Sequence, residues 1–219
     1  MIPFREIKTI YFDYDGTLHN SIHLYAPAFR KAYDFLVKAG AAENKEWTDK
    51  EISYWLGYNP SDMWKSFMPS LKDELRRQCS NIIGEEMIKL IEQGKSQLYE
   101  GAVEALEYLK RNGYHLIFIS NCKAYYKAAH TKHFHLDHYF EELVCSEDYA
   151  FVSKDIILAK LILNYPEKML IVGDRNQDIE AGKKNNIYTI GCRYGYATEG
   201  ELEEADMKIS NVMELMQLL

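Results

Sequence analysis

The chain has 219 residues, 47% hydrophobic and 27% charged, with a net charge of -7. That composition supports a packed core and excludes long disordered stretches, while the acidic balance and the lack of any Lys/Arg block exclude a surface for a nucleic-acid backbone. No 18-residue apolar run and no signal-like start is present, so neither membrane insertion nor export is expected and the protein is expected to be cytoplasmic. Cys79, Cys122, Cys145 and Cys192 are scattered without a C-x-x-C pair, which argues against a zinc knuckle or a disulfide framework.

The first predicted element is the apolar run IKTIYF, residues 7–12, which ends in Asp13-Tyr14-Asp15-Gly16-Thr17. Two carboxylates on one loop repel unless a cation lies between them or one keeps its proton. Phosphoryl transfer can use both conditions, with Asp13 attacking phosphorus and Asp15 protonating the leaving oxygen and later activating water. Mg²⁺, a hard ion that prefers oxygen ligands, would neutralise the acids and a phosphate together. Gly16 permits a tight turn with N–H groups facing an anion. Taken alone, D-x-D-G-T reads equally well as a solvated turn or a calcium-like loop fragment.

From about residue 20 to 96 no strand is predicted and helix follows helix. Residues 26–40 place Phe29, Tyr33, Leu36 and Val37 on one stripe, with Pro27 opening or kinking the helix. Residues 48–57 begin with a capping box, Thr48 with Glu51. Further helices are predicted in 60–68 and 71–94. A stretch this long between strands reads as an inserted subdomain, 20–96, within a core made of 1–19 and 97–219. Its aromatic residues Tyr54, Trp55, Tyr58 and Trp64 read better as core than as a leaving-group pocket.

Strict alternation resumes after residue 97. Helical spacing in 101–113 leads to the strand HLIFIS, 115–120; a helix in 123–134 leads to ELVCS, 142–146; a helix in 154–165 leads to KMLIVGD, 168–174; and a helix in 176–186 leads to YTIGC, 188–192. The strands are too uniformly apolar for one wet face, which predicts parallel strands covered on both sides in a doubly wound α/β sheet. Ligands of such sheets gather at the carboxyl ends of the strands. There stand Ser120 and Asn121, suited to holding a non-transferring phosphate oxygen but also ordinary turn residues. Lys154 opens a helix where its ammonium could offset phosphate and Asp13, though isolated lysines are usually surface. Asp174 ends a strand, and Asp178 comes back over the same helix N-terminus; a plain helix cap is the bland alternative. Arg175 and Arg193 fit a substrate contact or a surface role equally. The run His130 to His138 straddles a helix end and a turn, so its imidazoles are expected to diverge and not to form a zinc site.

The ordered set DYDGT, Ser120-Asn121, Lys154 and GDRNQD resembles the haloacid dehalogenase superfamily, and the helical insertion looks like its type-one cap. The tail from Thr189 onward is similar to the end of phosphoglycolate-phosphatase-like members. The resemblance implies Asp13 as nucleophile and Mg²⁺ ligand, and Asp15 as acid/base that also ligates through its backbone carbonyl. It further implies Asp174 as the third metal ligand, Asp178 as a support for the metal's water shell or for Lys154, and Ser120, Asn121 and Lys154 as phosphate binders. Aspartate at position 15 matches the phosphatase and mutase branches and disfavours carbon–halogen hydrolysis. The chain departs from the family where Asp155, in place of the usual proline, follows Lys154. Gly57-Tyr58-Asn59-Pro60 stands where such caps carry a specificity loop.

The implied activity is a Mg²⁺-dependent phosphatase acting on a small organic phosphate, phosphoglycolate or a sugar phosphate. A mutase resembling β-phosphoglucomutase and a noncatalytic scaffold are the alternatives. The expected partner is a small phosphorylated metabolite, with the protein a monomer or homodimer.

Overall fold

In the computed structural model, residues 3–165 and 168–219 are described. They divide into two compact units, Met1–Asn20 with Leu98–Leu219, and Ser21–Gln97.

The first unit is built on a six-stranded sheet of β1 (Ile7–Phe12), β2 (His115–Ser120), β3 (Glu142–Cys145), β4 (Lys168–Gly173), β5 (Tyr188–Cys192) and β6 (Met207–Ile209). Their spatial order is β3-β2-β1-β4-β5-β6, and every neighbouring pair is parallel. Five of these strands coincide with the apolar runs to within a residue. The sixth, three residues long, is too short to show a period, and sequence reasoning misses it. Helices α5 (Ala102–Arg111), α6 (Ala124–Phe134), α7 (Lys154–Leu161) and α8 (Asn176–Lys184) alternate with the strands, and α9 (Leu215–Leu218) closes the chain. The helix expected in 154–165 stops at Leu161 and gives way to a 3₁₀ turn over Ile162–Asn164. Ile10, Leu116 and Leu170 on one face and Tyr11, Ile117 and Ile171 on the other are all fully buried, as a parallel sheet covered on both faces requires.

Register sets where the strands release their chains. Phe12 lies beside Phe118 on one side and Val172 on the other, so the loops after Phe12, Ser120 and Gly173 leave at one rim of adjacent strands. The order places β1 at the centre, where the connections diverge to either side, and a crevice opens at such a switch point.

The second unit contains α1 (Ile22–Lys38), α2 (Asp49–Ser53), α3 (Pro60–Phe67) and α4 (Asp73–Glu92), with no strand among its described residues. Pro27 does not open α1, which begins at Ile22; so near the N-terminus its missing N–H removes a single intrahelical bond. The capping box forms, with Glu51 N–H donating to Thr48 Oγ1 at 3.2 Å and Thr48 N–H to Glu51 Oε2 at 2.9 Å. Phe29, Trp47 and Phe67 meet with centroids 5.2 to 5.7 Å apart and form the aromatic centre of this unit. Trp64 is buried and donates Nε1–H to Ser80 Oγ at 2.8 Å, as a core residue should. Tyr54 is 42% exposed, which corrects the core reading for that residue, and its ring lies edge-on to Trp55.

Candidate active site

Asp13 is the first residue beyond β1, and its N–H donates to the carbonyl of Val172 at 2.9 Å, extending the ladder to the rim. Asp174 follows β4 directly, and Asp178 stands in the first turn of α8. The carboxylates of Asp13, Asp174 and Asp178 converge, with one oxygen of each within 4.8 Å of the others, and all three residues are buried. Lys154, the first residue of α7 and itself buried, reaches into the cluster: its Nζ donates to Asp13 Oδ1 at 2.6 Å and to Asp178 Oδ1 at 2.5 Å. The missing proline therefore does not keep Lys154 away, because Ser153 supplies the extended N-cap that starts the helix.

Other contacts fix each carboxylate. Thr17 Oγ1–H donates to Asp13 Oδ2 at 3.3 Å. The N–H of Arg175 donates to Asp178 Oδ2 at 3.0 Å, and the N–H of Tyr196 to Asp174 Oδ2 at 2.6 Å. Two glycines make the crowding possible. Gly16 has φ +89°, and a Cβ there would meet Asp174 Oδ2 at 2.1 Å; a Cβ on Gly173 would meet Asp178 Cγ at 2.2 Å.

Three buried carboxylates face one ammonium, so negative charge is in excess. Burial raises the Asp13 carboxyl to about 7, and Asp178 and Asp15 push the same way against the opposing pull of Lys154. Burial and then the charges of Asp13 and Asp178 raise Asp174 well above the usual carboxylate range. Burial lowers the Lys154 ammonium, but its two carboxylate partners more than offset that and the net direction is upward. Asp174 Oδ1 is buried with no hydrogen-bond partner among the described residues. An orphaned oxygen in an oxygen-only, electron-rich cluster fits a hard divalent cation.

The carboxylate of Asp15 turns elsewhere. Its Oδ1 accepts from Tyr126 O–H at 2.8 Å and meets His19 Nδ1 at 3.0 Å. Ser120 is buried at the end of β2, one strand from Asp13, and Asn121 is half-buried in the loop that follows. Arg175 does not reach outward: it is 2% exposed, and its guanidinium holds both oxygens of Glu201, at 2.7 and 3.0 Å. Arg193 is exposed. The histidines diverge, with His130 buried against the Tyr14 hydroxyl at 2.6 Å while His133, His135 and His138 are exposed.

Sequence reasoning leaves out Thr17, His19, Tyr126 and Tyr196. For His19 the spacing of four residues from Asp15 is a hint. For Tyr126, 111 residues from Asp15, no local signal exists.

The family model for haloacid dehalogenase-like hydrolases matches residues 10–192. A phosphoglycolate phosphatase from Yersinia pestis is 30% identical over 210 residues, an alignment that takes in 90% of this chain and 85% of the relative. One from Aliivibrio fischeri is 27% identical over 205 residues, 88% of this chain and 87% of the relative. Among solved structures, a predicted phosphatase from Clostridium acetobutylicum superposes with a TM-score of 0.81 at 21% identity, covering 96% of this chain and 97% of its own, and so shares the fold.

Proposed function

Since the chain belongs to the haloacid dehalogenase-like hydrolases, we propose that it is a Mg²⁺-dependent phosphatase of small organic phosphate monoesters that works through an aspartyl phosphate on Asp13. The observation that carries this reading is the convergence of Asp13, Asp174 and Asp178, the first and last of them bonded to Lys154, with one Asp174 oxygen buried and unpartnered. The names of the bacterial relatives favour phosphoglycolate as substrate, with a sugar phosphate as the alternative. The Ser21–Gln97 unit is the family's inserted cap, and Gly57-Tyr58-Asn59-Pro60 is its specificity loop.

In this mechanism one carboxylate oxygen of Asp13 attacks phosphorus while Lys154 holds Asp13 and offsets charge on the phosphoryl group. Ser120 and Asn121 bind the oxygens that are not transferred. Asp15 gives its proton to the leaving oxygen, and in the second half takes a proton from the water that hydrolyses the aspartyl phosphate. Asp174 and Asp13, with the Asp15 carbonyl, would hold Mg²⁺, and Asp178 orients Lys154 or would support the metal through its water shell. When bound, Mg²⁺ neutralises the crowded carboxylates and the phosphate together and polarises the phosphoryl oxygens.

The direct test is phosphate release from a panel of metabolite phosphates and p-nitrophenyl phosphate, with and without Mg²⁺. Mg²⁺-dependent release supports the reading; no release from any member overturns it, and an isomeric sugar phosphate in place of free phosphate would point to a mutase. Asp15→Asn is expected to lower kcat/KM for alkyl phosphates on the order of 10²-fold or more, and much less for p-nitrophenyl phosphate, whose leaving group needs no proton. Equal losses on both substrates would exclude the acid role.

Metal binding also has a pH signature. A carboxyl whose folded-state pKa lies above its unfolded value favours the folded state only at low pH, and that advantage is lost as pH rises from its ordinary 3.8 to about 7. In Mg²⁺-free buffer the melting temperature is therefore expected to fall across that window. Added Mg²⁺ should raise it, and by more at about pH 8 than at about pH 6, because the cation displaces a proton. A Mg²⁺-induced shift that shrinks with rising pH would contradict the assigned ligands.

A further inference from the structure

Asp15 is held from behind by a buried polar and aromatic cluster that the mechanism has not yet used. The Tyr126 hydroxyl, on α6, donates to Asp15 Oδ1 at 2.8 Å, and His19 Nδ1 lies 3.0 Å from the same oxygen. Oδ1 is an acceptor both in the carboxylate and in the acid protonated on Oδ2, so Nδ1 is assigned the hydrogen, and the 3.2 Å contact from Nδ1 to the Tyr126 oxygen closes a triangle of three groups. Both donors meet at Oδ1. The anchors are deeply buried, His19 at 0% and Tyr126 at 5% exposure, whereas the Asp15 side chain is 18% exposed.

The anchors are themselves fixed. The ring of Tyr14, which lies between the two aspartates in sequence, stacks on the His19 imidazole with centroids 5.1 Å apart and planes 12° from parallel. His130 packs against both, with its ring 4.5 Å from His19 and 4.3 Å from Tyr126, and takes the Tyr14 hydroxyl at 2.6 Å. Neither donor can leave Oδ1 without repacking this cluster.

Resting on the phosphatase reading, we propose that Tyr126 and His19 are positioning residues for Asp15: they pin its carboxyl by Oδ1 so that Oδ2 is the oxygen that exchanges the proton. In the first half-reaction an Asp13 oxygen forms a bond to phosphorus, the bond from phosphorus to the leaving oxygen breaks, and the proton on Asp15 Oδ2 passes to that oxygen. The resulting carboxylate keeps both hydrogen bonds on Oδ1. In the second, water oxygen bonds to phosphorus, the bond from phosphorus to Asp13 breaks, and Oδ2 recovers one proton from the water. Tyr126 and His19 are unchanged at the end.

The test is the dependence of kcat/KM on the leaving group, measured with the full chain and Mg²⁺ on alkyl phosphates and on p-nitrophenyl phosphate. Tyr126→Phe removes one hydroxyl and keeps the ring. It is expected to lower kcat/KM about tenfold for alkyl phosphates and less than about twofold for p-nitrophenyl phosphate, a weaker form of the Asp15→Asn pattern. His19→Leu should show the same selective loss, and His19→Asn, whose amide can donate from nearly the place of Nδ1, should recover most of it. Tyr125→Phe, the same change on the neighbouring exposed residue, serves as the control and should match the parent.

A merely structural role predicts equal losses on all substrates, and that result for Tyr126→Phe overturns the proposal, as does no loss at all. If one of the two sites does not tolerate substitution, judged by circular dichroism, the other decides. Absence of phosphate release by the parent protein would remove the phosphatase reading and this proposal together. A leaving-group effect in Asp15→Asn without one in Tyr126→Phe would remove this proposal alone.

Discussion

Asp13→Asn is expected to reduce phosphate release by on the order of 10³-fold or more while the protein stays folded, because the change removes the attacking oxygen at nearly constant volume. Its effect on stability has the opposite sign. Asp13 is one of three buried carboxylates facing the Lys154 ammonium, and burial with its acidic neighbours already holds its carboxyl up at about 7. Near pH 8 the parent must ionise that group inside the fold, at a cost bounded above by about 4 kcal/mol. The uncharged amide of the variant carries no such cost. In Mg²⁺-free buffer the variant should therefore melt above the parent, and the extra stability conferred by Mg²⁺ should shrink because a ligand is gone. Inactivity combined with higher metal-free stability is hard to produce by misfolding. Near-parent turnover would refute Asp13 as nucleophile, and a lower metal-free melting temperature would refute the excess of negative charge in the cluster.

Lys154→Met takes away the cation and leaves the carboxylates. Nζ bridges Asp13 and Asp178 at 2.6 and 2.5 Å with only 3% of the lysine side chain exposed, so water cannot replace the lost charge. Breaking a buried pair from one side costs about 3 to 5 kcal/mol. Urea denaturation in Mg²⁺-free buffer should show a loss of that size, and Mg²⁺ should return part of it by supplying positive charge to the same oxygens. Turnover should be lost with or without Mg²⁺, since the phosphoryl group also loses its neighbouring ammonium. Lys154→Arg is not expected to restore activity, because a planar guanidinium does not fit between two carboxylates that both contact one nitrogen. A loss below about 0.5 kcal/mol would place Lys154 in the class of replaceable surface charges.

These two variants probe residues 141 positions apart in the chain that meet at one hydrogen bond. Asp13 stands out locally, because an acidic pair directly behind the apolar Ile10-Tyr11-Phe12 sets two like charges at the end of a core strand. Lys154 does not, and its neighbour Asp155 departs from the family's pattern. What brings Lys154 to Asp13 is the start of α7, set by the extended backbone of Ser153, together with the placement of that helix in the fold. Arg175 is the reverse case. It follows Asp174 immediately and looks poised for an anion, yet the fold commits it to Glu201, 26 residues away. Tyr54 and Trp64 both fall in the aromatic-rich part of the insertion, but one is exposed and the other is buried.

The five long strands, the helices between them, the turn at Gly16 and the acidic groups at several strand ends are legible in the chain itself, because each depends on side-chain period, backbone freedom or chemistry within a few residues. Packing in three dimensions is what sets the strand order, the three-residue edge strand β6, the partnering of Lys154 with two carboxylates and the clasp of Tyr126 and His19 on Asp15. Most of those are contacts between residues far apart in the chain, and they arise from the direction in which each side chain leaves a packed backbone, a quantity that no local pattern encodes.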